Sequence, residues 1–367
     1  MTDPSRLYRR SLLAAGTTIG LASPFLHVRP ARADKGEITI ASWGGSRSAA
    51  MREVMWTPFE KATGIRVRED GPPEAAKVKA MVDGGNVAWD ILDTDIPAIL
   101  AMVNSNLLQP IDYARLDREK LAQIPAVLHN PHGLGHLIYS FNIVYNTKSF
   151  PNGTQPRTWA DVWDGAKFKG ARSFPFRGGL SPQLEFAVIA DGVPLDKVYP
   201  LDIERAWKSM DRLRPLVTKW YANHAEAMQL LATGEVDICC TVGPRGLVAK
   251  AEGAPVDVEI AGGKLAPDNW AIVKGTRNLD AVYQYLNFVI DGKVQAELAR
   301  RIPYGPSSQA AFQYLSPAEA KQLNTSPENL AQQFWVDIAW WGAVAANGKT
   351  NNENQIDRYA RWMVRRG

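Results

Sequence analysis

Between residues 37 and 68 the hydrophobic pattern changes period twice, and this alternation limits the fold more than any other feature of the chain. Glu37-Ile38-Thr39-Ile40-Ala41-Ser42-Trp43 reads as a strand that stops at Gly44-Gly45. The spacing then predicts a helix over 46–62 closed by Gly64, and Ile65-Arg66-Val67-Arg68 alternates again as a strand. A strand, helix, strand unit implies a parallel sheet with helices over its faces. The glycine turn falls at the carboxyl end of its strand, where open α/β sheets bind ligands. Further on, the pattern predicts helices near 74–82, 97–105, 201–216 and 224–232. It predicts strands near 89–93, 135–145, 170–176, 236–242 and 256–260. The chain is therefore α/β throughout.

Ahead of the first strand lies a segment of another kind. Arg9-Arg10 precede an apolar, small-residue stretch over 12–25, and Ala31-Arg32-Ala33 fits a cleavage site, so residues 1–33 read as an export signal removed after Ala33. Gly16, Gly20 and Pro24 interrupt the apolar stretch, which is too short and weak for a membrane span. The twin arginine points to the Tat route, which carries folded cargo; an ordinary secretory signal with two arginines is the alternative. Either way the expected location is the periplasm.

Removing the signal changes the charge argument. Lys and Arg number 42 against 38 Asp and Glu, but the signal holds Arg6, Arg9, Arg10, Arg29 and Arg32 against Asp3, leaving 37 of each sign. A balanced chain has no electrostatic footprint for nucleic acid. The mature 334 of the 367 residues exceed what one core usually supports, so two domains of about 150 residues are expected. No linker marks a single crossing, so the polypeptide is expected to pass between lobes several times.

Several side-chain groups invite a chemical reading. Cys239-Cys240 sit in the apolar run 236–242, where strand neighbours point to opposite faces; two buried thiols are the plain reading and a strained vicinal disulfide the sharper one. His129, His132 and His136 cluster within eight residues and raise a metal site, although the Asn130-Pro131-His132-Gly133 loop does not place them on one helix face. Phe334, Trp335, Trp340 and Trp341 read as core aromatics rather than a stacking surface. A secreted hydrolase and a metal-binding receptor remain competing readings. The chain shows no G-x-S-x-G elbow, H-E-x-x-H, P-loop or G-x-G-x-x-G spacing, so it is expected not to be an enzyme and no cofactor is implied.

Ordered phrases across the chain resemble a known family. Ala41-Ser42-Trp43-Gly44-Gly45 and Pro58-Phe59-Glu60-Lys61-Ala62-Thr63-Gly64-Ile65 open the series. Trp89-Asp90-Ile91-Leu92-Asp93, Tyr145-Asn146-Thr147 and Trp159-Ala160-Asp161-Val162-Trp163 follow, then Asp268-Asn269-Trp270-Ala271-Ile272 and Tyr304-Gly305-Pro306. The set is similar to the polyamine-type periplasmic solute-binding proteins of ABC importers. That resemblance implies a two-lobed periplasmic-binding-protein fold with a central cleft and multiple hinge crossings. Its lobes would be 34–140 with 269–310, and 141–268 with 311–367. The implied partners are a small amine-bearing solute, either a polyamine or an ω-amino acid, and an inner-membrane ABC permease; the protein itself is expected to be monomeric.

The family's site pairs aromatic walls with carboxylates, as a desolvated dication requires. Trp43, Asp95, Asp268 and Tyr304 match that pattern, Gly44 and Gly45 form the turn at the strand end, and Trp270 lies in the carboxylate phrase. Two expected wall tryptophans fall instead on Val242 and Ala266, and the expected acidic stretch near 177–185 opens with the cationic Arg177. Arg245, in Gly243-Pro244-Arg245, resembles the branch that binds γ-aminobutyrate. A guanidinium there would grip a carboxylate with two parallel hydrogen bonds while Asp268 took the ammonium. An Arg245–Asp268 salt bridge with no ligand role is the competing structural reading.

Overall fold

The computed structural model describes residues 36–364. The export signal and its cleavage site lie outside the described residues. Five elements build the first part of the fold: β1 (Glu37–Ala41), α1 (Gly45–Met51), β2 (Arg66–Asp70), β3 (Ile91–Asp95) and α2 (Ile96–Asn104). β1 pairs in parallel with both β2 and β3. Ile38 and Ile40, alternating along β1, are fully buried. Trp56 and Phe59, on the helical turns that follow α1, cover them and meet Tyr285, whose hydroxyl accepts from Trp56 Nε1 at 2.9 Å. Burying an apolar side chain of this size is worth about 1.5–3 kcal/mol, which ties the helix to the sheet face.

A second parallel group consists of β5 (Arg172–Pro175), β6 (Val217–Tyr221) and β7 (Ile238–Val242), with β5 between the other two. α3 (Gln183–Ala190), α4 (His224–Thr233) and α5 (Gly243–Ala251) follow these strands in turn. Its core is aromatic: Trp159 stacks on Phe186 with centroids 3.6 Å apart, and Trp207, Tyr359 and Trp362 pack together. Phe334 and Trp341 join this cluster, as core packing predicts, while Trp335 and Trp340 are partly buried. Cys239 and Cys240 are both buried free thiols.

Two long strands join the parallel groups. β4 (Gly133–Asn146) and β8 (Val256–Val273) pair antiparallel, and the sheet runs β2-β1-β3-β8-β4-β7-β5-β6. β8 is far longer than the strand expected at 256–260. Its register breaks between Glu259 and Lys264, where Gly262-Gly263 dilutes the alternation, and it then carries the buried charges Lys264 and Asp268. The helix expected at 201–216 is α-helical only over Ile203–Leu213, because Pro215 cannot supply the next amide donor.

Candidate functional site

The carboxyl ends of the parallel strands converge on one cleft. After β1 the chain turns through Gly44 and Gly45 at φ 73° and 67°, a left-handed conformation that side chains disfavour, and starts α1 without a side-chain cap. This turn presents Trp43, 47% exposed, on one wall of a cavity of about 750 Å³. β3 delivers Asp95, β5 leads to Arg177, β6 to His224 and β7 to Arg245. Asp268 projects from β8 opposite Asp95, and Tyr304 closes the rim beside Ile302 and Pro303. Tyr139 and Phe141 on β4 form the floor.

One cluster sets the electrostatics. Arg47, in the first turn of α1, reaches Asp93 at 2.5 Å with one guanidinium nitrogen and Asp268 at 2.5 Å with the other. Asp93 is completely buried and also accepts from the Ser42 hydroxyl at 3.0 Å, with His136 Nε2 at 2.9 Å. Burial pushes its pKa up, but Arg47, His136 and Ser42 outweigh burial and hold it below the ordinary carboxylate value. Burial raises Asp268 to about 6, with Asp93 and Asp95 adding to the rise against Arg47. Two carboxylates therefore share one guanidinium, and the cluster carries one negative charge too many. A cation reaching Asp268 from the cavity would balance it.

The cleft also carries cations, Arg177 and Arg245. Arg245 sits in the first turn of α5, where Pro244 occupies a position that lacks an amide partner anyway and no side chain caps the helix. Burial raises the Tyr304 pKa while the adjoining Arg245 and Arg47 draw it down. His224 is lowered to about 4 by burial, with Arg245 and Arg177 adding to the effect. Neither arginine forms an ion pair with a described residue, so the competing Arg245–Asp268 bridge is replaced by Arg47–Asp268.

Of the residues singled out from sequence, Trp43, Gly44, Gly45, Asp95, Arg245, Asp268 and Tyr304 line this cavity. Trp270 does not. It is fully buried and stacks on His136 at 3.8 Å, behind the wall rather than in it, because Asp93 sits opposite it on β3. The three loop histidines do not converge: His136 is held by Asp93, His129 packs on Tyr113, and among the described residues no group of three metal-ligating side chains comes together. Arg47 was missed, although the sequence holds a signal for it. A cation in a helix's first turn opposes the macrodipole, so an arginine there needs a dedicated anionic partner.

The Asp268 value gives a pH prediction. A protonated Asp268 cannot pair with an ammonium, so affinity for an amine-bearing solute should rise about tenfold per pH unit up to about 6 and level off above it. Because the folded pKa lies above the ordinary 3.8, ionisation of this group between those values lowers the stability of the unliganded protein, and a bound ammonium offsets that loss. Calorimetric titration from pH 4.5 to 8 checks the sign; affinity independent of pH would show that Asp268 does not face the solute.

The chain is similar in sequence and fold to known solute-binding proteins. Residues 55–331 match the model of a family described as bacterial extracellular solute-binding proteins. A γ-aminobutyric acid-binding protein of Pseudomonas aeruginosa is 31% identical over 341 residues, 91% of this chain and 93% of that protein. A putrescine/cadaverine-binding protein of the same organism is 36% identical over 324 residues, covering 76% of this chain and 88% of its own length. Among solved structures, an ABC transporter substrate-binding protein from Bradyrhizobium japonicum superposes with a TM-score of 0.81 at 33% identity, over 89% of this chain and 99% of that one.

Proposed function

The chain belongs to the bacterial extracellular solute-binding protein family, and from that premise we propose that its solute is a zwitterionic ω-amino acid of the γ-aminobutyrate type. The protein is a solute-binding component of an ABC importer, not an enzyme. In this reading it is a monomer that leaves the cytoplasm with its signal removed after Ala33 and delivers the solute to a membrane permease. Its lobes are taken as 34–140 with 269–310, and 141–268 with 311–367.

The observation that carries the ligand choice is the polarity of the cleft. Asp268, beside Asp95, supplies the excess negative charge, while Arg245 lines the same cavity beside Tyr304 without an acidic partner among the described residues. A zwitterion places one charge at each end, whereas a diamine brings a second cation toward an arginine. Trp43 and Phe141 would cover the methylenes, and closure would exchange hydration of both charges for fixed partners.

A thermal-shift screen of the mature protein against γ-aminobutyrate, longer ω-amino acids, putrescine and spermidine tests this, since a ligand that binds only the folded state raises the melting temperature. γ-Aminobutyrate or a homologue should give the largest shift; the largest shift from a polyamine would restore the polyamine reading. Trp43→Ala should weaken the binding by about 1–3 kcal/mol, the worth of a lost aromatic face in a desolvated site. Retained affinity with a lowered melting temperature would make Trp43 a packing residue.

A further inference from the structure

We infer that the cleft holds a second anionic subsite centred on Arg177, and that the preferred solute is an ω-amino acid carrying a further carboxylate. This rests on the zwitterion reading above and narrows it. The first support is space. The cavity around Arg245 continues into a second one of about 550 Å³, and the two share Asp95, Tyr139, Phe141, Arg177, His224 and Arg245 along their common boundary. A four-carbon amino acid stretched from Asp268 to Arg245 leaves the second compartment empty, although cavities of about 300–1,000 Å³ serve much larger ligands. Its lining is mostly apolar but includes the polar Ser181, Asn223 and Asn352.

The second support is charge. Of the three cleft arginines, Arg47 is occupied by Asp93 and Asp268. Asp95 is also engaged, accepting the Ala98 amide as the cap of α2. In the zwitterion reading Arg245 takes the one carboxylate of the solute. Arg177 then remains, an exposed guanidinium facing both compartments with no ion pair to any described residue. It lies close enough to Arg245 for both to act on the His224 imidazole between them. Two guanidiniums without an acidic partner among the described residues border one cavity and suit two anionic groups, and a planar fork grips a carboxylate best.

Both ends of the solute border the junction. Asp95, which pairs directly with Asp268 across β3 and β8, lines the second compartment with Tyr139, and so does Arg245. A substituent can therefore enter that compartment past Asp95 from the ammonium end of the solute, the route the probes below take.

Calorimetry on the mature protein, with γ-aminobutyrate, L-glutamate and N-(carboxymethyl)-γ-aminobutyrate as probes, tests the subsite. At least one of the two dicarboxylates should bind tenfold or more tighter than γ-aminobutyrate. Arg177→Gln should bring that ratio to about one, and Arg177→Lys should keep part of it, since charge survives but the fork does not. Melting temperatures of both variants check that they fold. Binding of γ-aminobutyrate with neither dicarboxylate favoured, or a ratio that persists in Arg177→Gln, would overturn the subsite alone. Binding of putrescine with none of the three acids bound would overturn the zwitterion reading and the subsite with it.

Discussion

Arg245→Ala should weaken γ-aminobutyrate binding by about 2–5 kcal/mol, the largest ligand effect expected in the cleft. The magnitude is that of stranding a desolvated carboxylate whose charged partner has been removed, not the net worth of the pair. Arg245 is exposed and pairs with no described acid, so the substitution should leave the melting temperature of the unliganded protein nearly unchanged. Putrescine should respond in the opposite sense, binding equally well or better once a repelling cation is gone. Titration of both solutes against both proteins gives the answer. Tight spermidine binding by the parent protein that survives or improves in the variant would sink the zwitterion assignment.

The largest stability effect is expected at Glu185. Its Oε1 lies 2.5 Å from Lys264 Nζ and also accepts from the Tyr199 hydroxyl at 2.6 Å and Trp341 Nε1 at 3.1 Å. Both partners are sealed from solvent, at 0% and 1% exposure. Burial lowers the Lys264 pKa, with Glu185 opposing that shift. Glu185→Ala leaves the ammonium with only the Leu180 carbonyl at 3.1 Å and the Trp341 ring, and should cost about 3–5 kcal/mol. Replacing both partners with Met should recover most of that loss, because the price of a buried pair is chiefly desolvation. Guanidinium unfolding of the three proteins measures both quantities; a loss under about 1 kcal/mol for Glu185→Ala would mean water reaches the lysine.

Much of the fold was legible because period and turn chemistry are local. The strand, glycine turn and helix around Gly44-Gly45 appear where the pattern placed them, and the late tryptophans pack as core. What escaped depends on pairing across the chain. Arg47 is meaningful only because Asp93 and Asp268, 46 and 221 residues away, reach the same guanidinium. Trp270 belongs to a telling phrase yet points behind the wall, since its side of β8 is fixed by pairing with β3. Arg177 counted from sequence as a departure from an acidic pattern, whereas beside His224 and Arg245 it becomes part of the cleft.

The central pairing of β4 with β8 also bears on when the protein becomes competent. Val256 lies opposite Asn146 and Trp270 opposite Leu134, so the strands that carry Tyr139 and Asp268 meet only after more than a hundred intervening residues have been made. No early fragment contains a working cleft, and closing such long loops before their contacts are gained slows folding. A chain threaded unfolded across a membrane would face that slow search outside the cell, whereas the twin-arginine route proposed from Arg9-Arg10 accepts a finished molecule. A receptor that matures before export meets the cytoplasmic pool of its own solute first. It would reach the periplasm partly loaded, so its capacity there would depend on how fast it lets that first cargo go.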